Sequence, residues 1–526
     1  MLEQTFAATQ IGFPILSILI FLPLVGAMLI WMLKSDELLV RIAGIAVTGI
    51  ELALTVWLLF AFKTHTAAMQ FVEQVDWIPA IGVSYHLGID GISVLFLGVT
   101  ALLSLLTMLF SWDLAIEKIK GYVMALLALQ ATVMGILVSL DLVLFFVFWE
   151  LMLIPSYFLI KLWGAGKIRE HAALKYVLYT LTGSMLMLVG IIILDLNYQE
   201  VNGIHSFDLL ALLTAPMSAD KQLLVFLLLF FGFAAKAPIF PFHAWLADAL
   251  VSGPVAVSVA LAGIKLGTYG FIRFSIPLLP DASRALLVPL SVLSLVGIIY
   301  GAFVALAQSD LRRLLAFSSI SHLGFVVLGL FTLNFHGLQG GLLQMINLAF
   351  TTAGLFFIAG FLYSRGLQDD LTRYGGLVTP MPALAGFFIV IGLASVGFPG
   401  TNGFVGEFLI LLGAFKAHWA FGAVGVLGVI LGLAYILWYY ERAMLAPPQE
   451  TVIRDHRGNE RPVSTLRDLN PREWVIATSL TIMIFWIGLY PAPFFDMMDA
   501  SVQAVVDRVD HSTRFAMSSV SREALP

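Results

Sequence analysis

The sequence predicts an all-α integral membrane protein that is built from repeated units. Of its 526 residues, 60% are hydrophobic and 12% are charged, whereas about 25% of the residues of a soluble chain are charged. Apolar windows of about twenty residues, long enough to cross a bilayer as a helix, recur along the whole chain. Lys236 and Glu407 each lie beside a Pro or Gly interruption in such a window, about a third of the chain apart. Interrupted helices in corresponding positions are typical of transporters with internal repeats.

About fourteen apolar windows are expected to form transmembrane helices, which we number as spans 1 to 14. The first window follows Glu3 rather than a basic cluster and is too long for a signal-peptide core, so it is interpreted as a span. The spans are predicted near residues 12–33, 39–62, 92–112, 121–140, 142–162, 172–195, 222–240, 255–276, 285–307, 313–333, 340–363, 381–414, 420–441 and 475–495.

The distribution of Lys and Arg predicts the orientation of the chain. Each loop takes the number of the span that it follows. Eighteen of the 28 basic residues lie in odd-numbered loops, and eight lie in even-numbered loops and the two tails. Because basic loops stay in the cytoplasm, the odd loops are predicted to be cytoplasmic and both termini to face the outer side. The expected location is the inner (cytoplasmic) membrane of a bacterium or an equivalent membrane.

Three segments outside the spans have predicted positions. Residues 63–91 are expected to cap the outer face, and the polar stretch at 444–474 is expected to lie on the cytoplasmic surface. Residues 501–515 carry apolar side chains at helical spacing and could lie along the membrane interface.

The composition argues against several kinds of site in this chain. There is no cysteine, so disulfides, thiolate zinc sites and iron–sulfur ligation are excluded. No glycine-rich phosphate loop occurs between a strand and a helix. The net charge of −5 does not provide the excess of positive charge that is typical of nucleic-acid-binding proteins. The sequence therefore predicts no cofactor or metal in this chain and no nucleic-acid partner.

The seventh span is expected to break beside Lys236. In FGFAAKAPIFPFHAW, Pro238 and Pro241 each remove a helical N–H donor. The helix should therefore end just after Lys236, which would place the ammonium at the negative, C-terminal end of a half-helix.

The twelfth span is expected to mirror this arrangement with the opposite charge. Pro399 and the glycines of GFPGTNGFVGEFLIL interrupt the span, and Thr401 or Asn402 can cap a new half-helix. Glu407 is then expected in the first helical turn, where the positive end of the helix dipole favours a carboxylate.

Three further ionisable residues lie deep in predicted spans: Glu150 in span 5, Lys265 in span 8 and His322 in span 10. Charged side chains at bilayer depth cost about 3 kcal/mol unless they face water or a partner. Glu, Lys and His can each hold and release a proton, so these residues together with Lys236 and Glu407 predict a proton relay. If Glu150 lies close to Lys236, its carboxylate would keep the lysine charged. Weakening that ion pair would then let the lysine release its proton, so the pair would control when a proton passes.

Other interpretations of these residues stay open. Lys236 and Glu407 can be structural salt-bridge partners of their neighbours, and a lone His322 can be a core histidine. His243 and Asp248, after the break in span 7, can form a proton entrance or be solvated. Glu51 in span 2 can make a packing contact, face another subunit or take part in transport.

Four motifs carry a resemblance to a known family. The segments FFVFWELMLIPSYFL, AAKAPIFPFHAWLADA, LAFSSISHLGFVVLGL and GFPGTNGFVGEF resemble the antiporter-like membrane subunits of complex I, the NADH:quinone oxidoreductase, and among them subunit M. The resemblance extends from about span 3 to span 13. A glutamate in span 12 favours subunit M, because the related subunits L and N and the Mrp antiporters usually have lysine there.

The resemblance implies a fold of fourteen helices in which spans 4–8 and 9–13 are inverted five-helix repeats with broken seventh and twelfth helices. The implied units are residues 1–120, 121–276 and 285–443, a cytoplasmic loop at 444–474 and a last helix with its tail at 475–526.

The resemblance also implies roles and partners. Glu150 and Lys236 would form the control pair of the inner half-channel, Lys265 the central relay and Glu407 the last carrier before the outer side. The expected partners are L-like and N-like antiporter subunits, small membrane subunits and the lipid bilayer. NADH, FMN, iron–sulfur clusters and quinone are expected in partner subunits.

Three departures from the family pattern affect the pathway. Leu250 and Leu348 stand where the family commonly has histidines, and Thr351, Thr352 or water would have to substitute for the second. In span 8, AGIK is two residues shorter than the usual motif. Two residues rotate a helix by about 200°, so Lys265 needs a local bulge or shift to face the same axis.

The function implied is therefore proton translocation coupled to quinone reduction elsewhere in an NADH:quinone oxidoreductase. A subunit of an Mrp-type cation/proton antiporter or of a membrane-bound hydrogenase is an alternative with the same module. A structural membrane subunit without its own proton path is the other alternative, since the two histidines are absent.

Overall fold

The computed structural model describes residues 12–33, 36–112, 116–367, 370–448, 452–454 and 460–523. Helices occupy all fourteen predicted spans. The first six spans are the helices Ile15–Met32, Glu37–Ala61, Val94–Phe110 and Ile119–Val138, the pair Leu142–Leu151 and Leu153–Trp163, and the helix Arg169–Asn202.

Spans 7 and 8 are interrupted helices. Span 7 consists of Ala219–Lys236 and Ala244–Ser252, and span 8 consists of the helices Val255–Ser258, Leu266–Gly270 and Ile276–Leu278 with π-helical turns at Val259–Gly263 and Phe271–Ser275. The later spans are Leu287–Leu306, Leu311–Phe331, Phe335–Ser364, the pair Pro382–Ser395 and Asn402–Ala417, Trp419–Tyr440 extended by the π-helical turn Glu441–Leu445, and Pro471–Leu489.

Eleven helical segments of the described residues are long and apolar enough to cross a membrane. The other three predicted spans contain shorter or interrupted helices: span 3 has 17 residues, and spans 7 and 12 are each split in two. The all-helical membrane fold is confirmed, while the number of complete crossings and the division into five units stay predictions.

Burial separates an inner group of helices from an outer one. The most apolar windows of spans 10 and 11 are 94% and 100% buried, whereas that of span 2 is 28% buried. Spans 10 and 11 also carry buried polar side chains, among them His322, Gln344 and Asn347. Because polar groups in a bilayer need internal partners, these central helices are where a polar pathway can exist.

Two segments outside the spans have defined structures. Strands β1 (Gln70–Ile78) and β2 (Val83–Ile89) form an antiparallel hairpin within the segment predicted to cap one face. A second small hairpin, β3 (Val452–Arg454) with β4 (Glu460–Pro462), lies in the predicted cytoplasmic loop. The two hairpins are the described exceptions to an all-helical fold.

The helix Ala492–Glu523 follows span 14 and contains the predicted segment 501–515. Its apolar side packs on spans 8 and 11 and on the short helix Pro280–Ala285 before span 9. Arg508 of this helix donates to the carbonyl oxygens of Pro277 and Leu213, each at 2.5 Å. The helix therefore ties the ends of several spans together.

Candidate functional site

The seventh span breaks where its prolines predict. Lys236 is the last residue of the helix Ala219–Lys236, and the next helix begins at Ala244. The lysine side chain is 8% exposed. It lies at the C-terminal end of the half-helix, where free carbonyl groups favour a positive charge.

Lys236 contacts Trp149 rather than Glu150 directly. Its Nζ donates to the carbonyl oxygen of Trp149 at 3.1 Å and lies 3.9 Å from the centroid of the Trp149 ring, a geometry in which the ring attracts a cation. Glu150 is the next residue, and its charge acts on Lys236. No ion pair within 4.0 Å joins the two side chains among the described residues, so the predicted close pair is not formed in this structure.

Lys265 lies in a break of the eighth span. The π-helical turn Val259–Gly263 precedes it, Ile264 has extended backbone angles, and the helix resumes at Leu266. The bulge expected from the short AGIK motif is therefore confirmed. The Lys265 ammonium donates to the carbonyl oxygen of Ala262 within this break, and the side chain is 7% exposed.

A small cavity of about 20 Å³ joins the two lysines. Its lining includes Lys236, Lys265 and, from span 10, Ser319. A cavity of this size holds about one water molecule. Ser319 precedes His322 by three residues, so the two side chains lie on the same face of their helix. The cavity therefore connects the lysines to the helix that carries His322.

His322 bridges Glu407 and a tyrosine. Its Nδ1 lies 3.6 Å from Oε1 of Glu407, and its Nε2 lies 3.0 Å from the hydroxyl of Tyr435 in span 13. All three side chains are buried. A histidine between a carboxylate and a phenol can take a proton at one ring nitrogen and give one from the other.

Glu407 also belongs to a network of amides. Nε2 of Gln344 donates to Oε1 of Glu407 at 3.3 Å, and Nδ2 of Asn347 donates to Oε1 of Gln344 at 3.0 Å. Asn347 donates at 2.7 Å to the carbonyl oxygen of Asn402, at the break of span 12. The network ties Glu407 to span 11 and to the broken backbone.

Glu407 lies in the second turn of its half-helix, not in the first. The helix begins at Asn402 and has no acidic residue in its first turn. Since the field of the helix dipole falls off within one turn, the expectation that the helix terminus holds the carboxylate is wrong. Span 12 does break where predicted, but side chains of spans 10 and 11 hold Glu407.

Other groups occupy the surroundings of the two missing histidines. The carbonyl oxygen of Leu250 accepts hydrogen bonds from Arg312 at 2.9 Å and from the Ser258 hydroxyl. Leu348 is buried, and the Thr351 hydroxyl donates to a carbonyl oxygen of its own helix. Gln344, one turn before Leu348, is the described side chain of span 11 that bonds to Glu407.

His243 and Asp248, which follow the break in span 7, both make polar contacts within the chain. His243 is 8% exposed, and its Nε2 lies 3.3 Å from the Tyr300 hydroxyl. Asp248 forms a 2.7 Å ion pair with Lys175 of span 6. This second half-helix is therefore held in place by polar contacts.

The structure thus places Lys236, Lys265, His322 and Glu407 in the buried centre, with the half-buried Glu150 next to the Trp149 that contacts Lys236. Sequence reasoning missed Tyr435, Gln344, Asn347 and Trp149. A signal existed for the first three, because each is a polar group within an apolar span. Among the described residues, no cluster of three or more potential metal ligands occurs.

Gly397 allows the carboxylate of Glu407 its position. The φ angle of Gly397 is +71°, and an added Cβ would lie 2.3 Å from Oε2 of Glu407. Gly397→Ala is therefore expected to displace the carboxylate and to destabilise the subunit by about 1–3 kcal/mol of backbone strain. Gly386→Ala, in the same span, is the matched control because nothing lies within 4 Å of its added Cβ. Thermal unfolding of the assembled protein measures the difference, and equal stability of the two variants would contradict the prediction.

Comparisons with known proteins identify the family of the chain. The family described as "NADH:quinone oxidoreductase/Mrp antiporter, TM" matches residues 139–432. NADH-quinone oxidoreductase subunit M of Rickettsia conorii is 37% identical over 500 residues, which cover 93% of this chain and 98% of the relative.

Solved structures show the same fold. A chain of respiratory complex I from Thermus thermophilus is similar with a TM-score of 0.83 and 31% identity, and the match covers 94% of this chain and 99% of that chain. A chain of the Mrp complex from Dietzia sp. has a TM-score of 0.80 at 24% identity, with 94% and 100% covered, which shows the fold alone. Since the family match covers more than half of the sequence and the subunit M relative aligns over nearly its whole length, the chain belongs to the family of antiporter-like membrane subunits shared by NADH:quinone oxidoreductases and Mrp antiporters.

Proposed function

We propose that this chain is the proton-translocating, M-type membrane subunit of an NADH:quinone oxidoreductase. The observation that carries the proposal is the series of ionisable groups in which Lys236, Lys265, His322 and Glu407 are buried and Glu150 is half-buried. A cavity joins the two lysines, and His322 lies 3.6 Å from Glu407. The similarity to subunit M over nearly the full length supports the partner complex. L-like and N-like antiporter subunits and small membrane subunits are the proposed neighbours.

The proposed pathway begins at Lys236. Lys236 takes a proton from the cytoplasmic side, held by the carbonyl oxygen and ring face of Trp149 and by the more distant charge of Glu150. When the charge of Glu150 is neutralised or moves away, the ammonium of Lys236 becomes less stable and releases its proton into the cavity shared with Lys265. The Coulomb attraction falls as the separation of the two groups grows, so movement of Glu150 away from Lys236 weakens its stabilisation of the ammonium.

The second half of the pathway carries the proton to Glu407. Lys265 passes it along the Ser319 face of span 10 to His322, which exchanges it with Glu407 across 3.6 Å. Release from Glu407 toward the outer side completes one transfer. The free energy comes from quinone reduction in partner subunits, where NADH, FMN, iron–sulfur clusters and quinone would be held. This chain supplies proton-holding groups only.

The test is NADH-driven proton transport by the assembled complex in sealed inverted vesicles. We expect the chain to co-purify with NADH-oxidising partners and the vesicle interior to acidify during electron transfer without any requirement for sodium. Sodium-dependent exchange in the absence of NADH would identify an Mrp-type antiporter subunit instead. Co-purification with a hydrogenase would identify that complex, and either result overturns the proposal.

A further inference from the structure

Glu51 is a buried carboxyl group that the pathway above does not use. It lies on span 2, is 0% exposed, and neither of its carboxyl oxygens has a hydrogen-bond partner. Complete burial within this chain excludes the interpretation that Glu51 faces another subunit. An unsatisfied carboxyl group at this depth is unfavourable, and such a group in a membrane helix is functional by default.

Two more unsatisfied polar side chains lie on helices that pack against span 2. The Gln130 side chain of span 4 faces the Glu51 carboxyl group, and neither amide atom of Gln130 has a partner of good hydrogen-bond geometry. The Thr100 hydroxyl of span 3 is also buried without a partner. Three unpaired polar groups from three helices indicate a place that water can enter.

A cavity of about 30 Å³ extends from Thr100 and Gln130, the neighbour of Glu51, to the broken eighth span. Its lining includes Thr100, Ser104 and Gln130 on one side and Val259 and Ile264 on the other. A cavity of this size holds about two water molecules. The residue Ile264 also lines the cavity that contains Lys236 and Lys265. One side chain in the bulge therefore borders both cavities.

Few other groups can influence Glu51. Spans 1 and 3, which pack near span 2, carry no charged or titratable residue within their helices. Span 4 carries Lys120, which donates to the carbonyl oxygen of Leu33, and Tyr122, whose hydroxyl lies 3.3 Å from that of Ser111. Gln130 is therefore the polar side chain through which Glu51 can communicate.

We propose that Glu51 is a proton-holding side branch of the relay, connected to Lys265 through Gln130, the 30 Å³ cavity and the bulge at Ile264. The neutral carboxyl group gives its proton to a water beside Gln130, and successive waters through the two cavities that meet at Ile264 pass a proton to Nζ of Lys265. A carboxylate and an ammonium result, and no other bond changes. Gln130 orients the water without being protonated. The proposal rests on the proposed function, since it adds a carrier to that pathway.

Glu51→Gln distinguishes this role from a structural one. Glutamine has nearly the same shape and still forms hydrogen bonds, so a packing role predicts normal behaviour, whereas a proton carrier is lost. The expected result for the reconstituted complex is a loss of protons pumped per electron and of a carboxyl C=O infrared band that changes during turnover. Glu51→Asp should restore both in part. Gln130→Leu should reproduce the pumping loss and leave Glu51 protonated, so that its C=O band is present but no longer changes during turnover.

Thr55→Val is the matched control, because Thr55 lies one turn along the same buried stripe and its hydroxyl bonds only to the Glu51 carbonyl oxygen at 2.8 Å among the described groups. Normal pumping and an unchanged infrared band in Glu51→Gln overturn the side branch. If Lys236→Ala loses pumping in the same assay while Glu51→Gln does not, only the side branch is wrong. If both variants pump normally, the proposed function fails as well.

Discussion

Lys236→Ala is expected to assemble into the complex and to lose most of its coupled proton transport. The substitution removes the buried proton acceptor at the break of span 7, and no other described lysine except Lys265 lines the adjacent cavity. We expect at least about a tenfold fall in the pumping rate, which corresponds to a barrier raised by about 1.4 kcal/mol. Acidification of sealed vesicles, with NADH oxidation recorded in parallel, measures the effect.

Lys236→Arg separates charge from proton transfer at this position. Arginine keeps the positive charge but does not release its proton in proteins, so it should pump as poorly as alanine. Recovery of pumping in Lys236→Arg would mean that only a fixed charge is needed. Lys221→Ala is the control on the same half-helix, because Lys221 lies at its other end in an exposed pair with Glu200. Normal pumping by Lys236→Ala itself would show that the buried charges are structural.

Glu407→Gln is expected to be similarly severe. Glutamine can keep the contacts to Gln344 and His322 but cannot carry the proton onward. Glu407→Lys is expected to retain part of the pumping, because lysine also holds a proton and the resemblance implies that related subunits carry lysine at this position. The same vesicle assay with the assembled complex ranks the two variants.

The decisive result is which of the two Glu407 variants pumps protons faster. If Glu407→Gln pumps as well as the unchanged protein, Glu407 serves the amide network of Gln344 and Asn347 and not proton transfer. If Glu407→Lys loses assembly while Glu407→Gln keeps it, the buried site tolerates no ammonium. Lys416→Ala is the matched control, since Lys416 ends the same half-helix beside His336.

Local features of the chain were predictable because they depend on backbone chemistry. Pro238 and Pro241 remove helical donors wherever the helix lies, so the end of the half-helix at Lys236 follows from the sequence. The shortened AGIK motif likewise implied the distortion that the structure has before Lys265. Glu407 was predicted in the first turn of its half-helix but lies in the second. The start of a helix is set by capping contacts that several neighbouring residues can make, so its exact position is hard to predict.

Contacts between spans were not predictable in the same way. Trp149 rather than Glu150 bonds to Lys236, and Tyr435 reaches His322 from a helix more than a hundred residues away. A rotation of either helix by one residue would exchange these partners, and that rotation depends on how all the neighbouring side chains pack. The two cavities that meet at Ile264 likewise depend on how the spans pack against one another, so they were not predictable from the sequence.

The sequence by itself determined the membrane class, the positions of the spans, the two breaks and the ionisable residues placed inside them. Hydropathy and the loss of backbone donors depend on residues within one helix, so both can be deduced from residues that are close in the sequence. The tertiary structure decided which of those residues share a cavity, which helix holds Glu407 and where Glu51 points. Such contacts depend on the relative rotation of helices, which arises from packing across the whole bundle and is not encoded in any one segment.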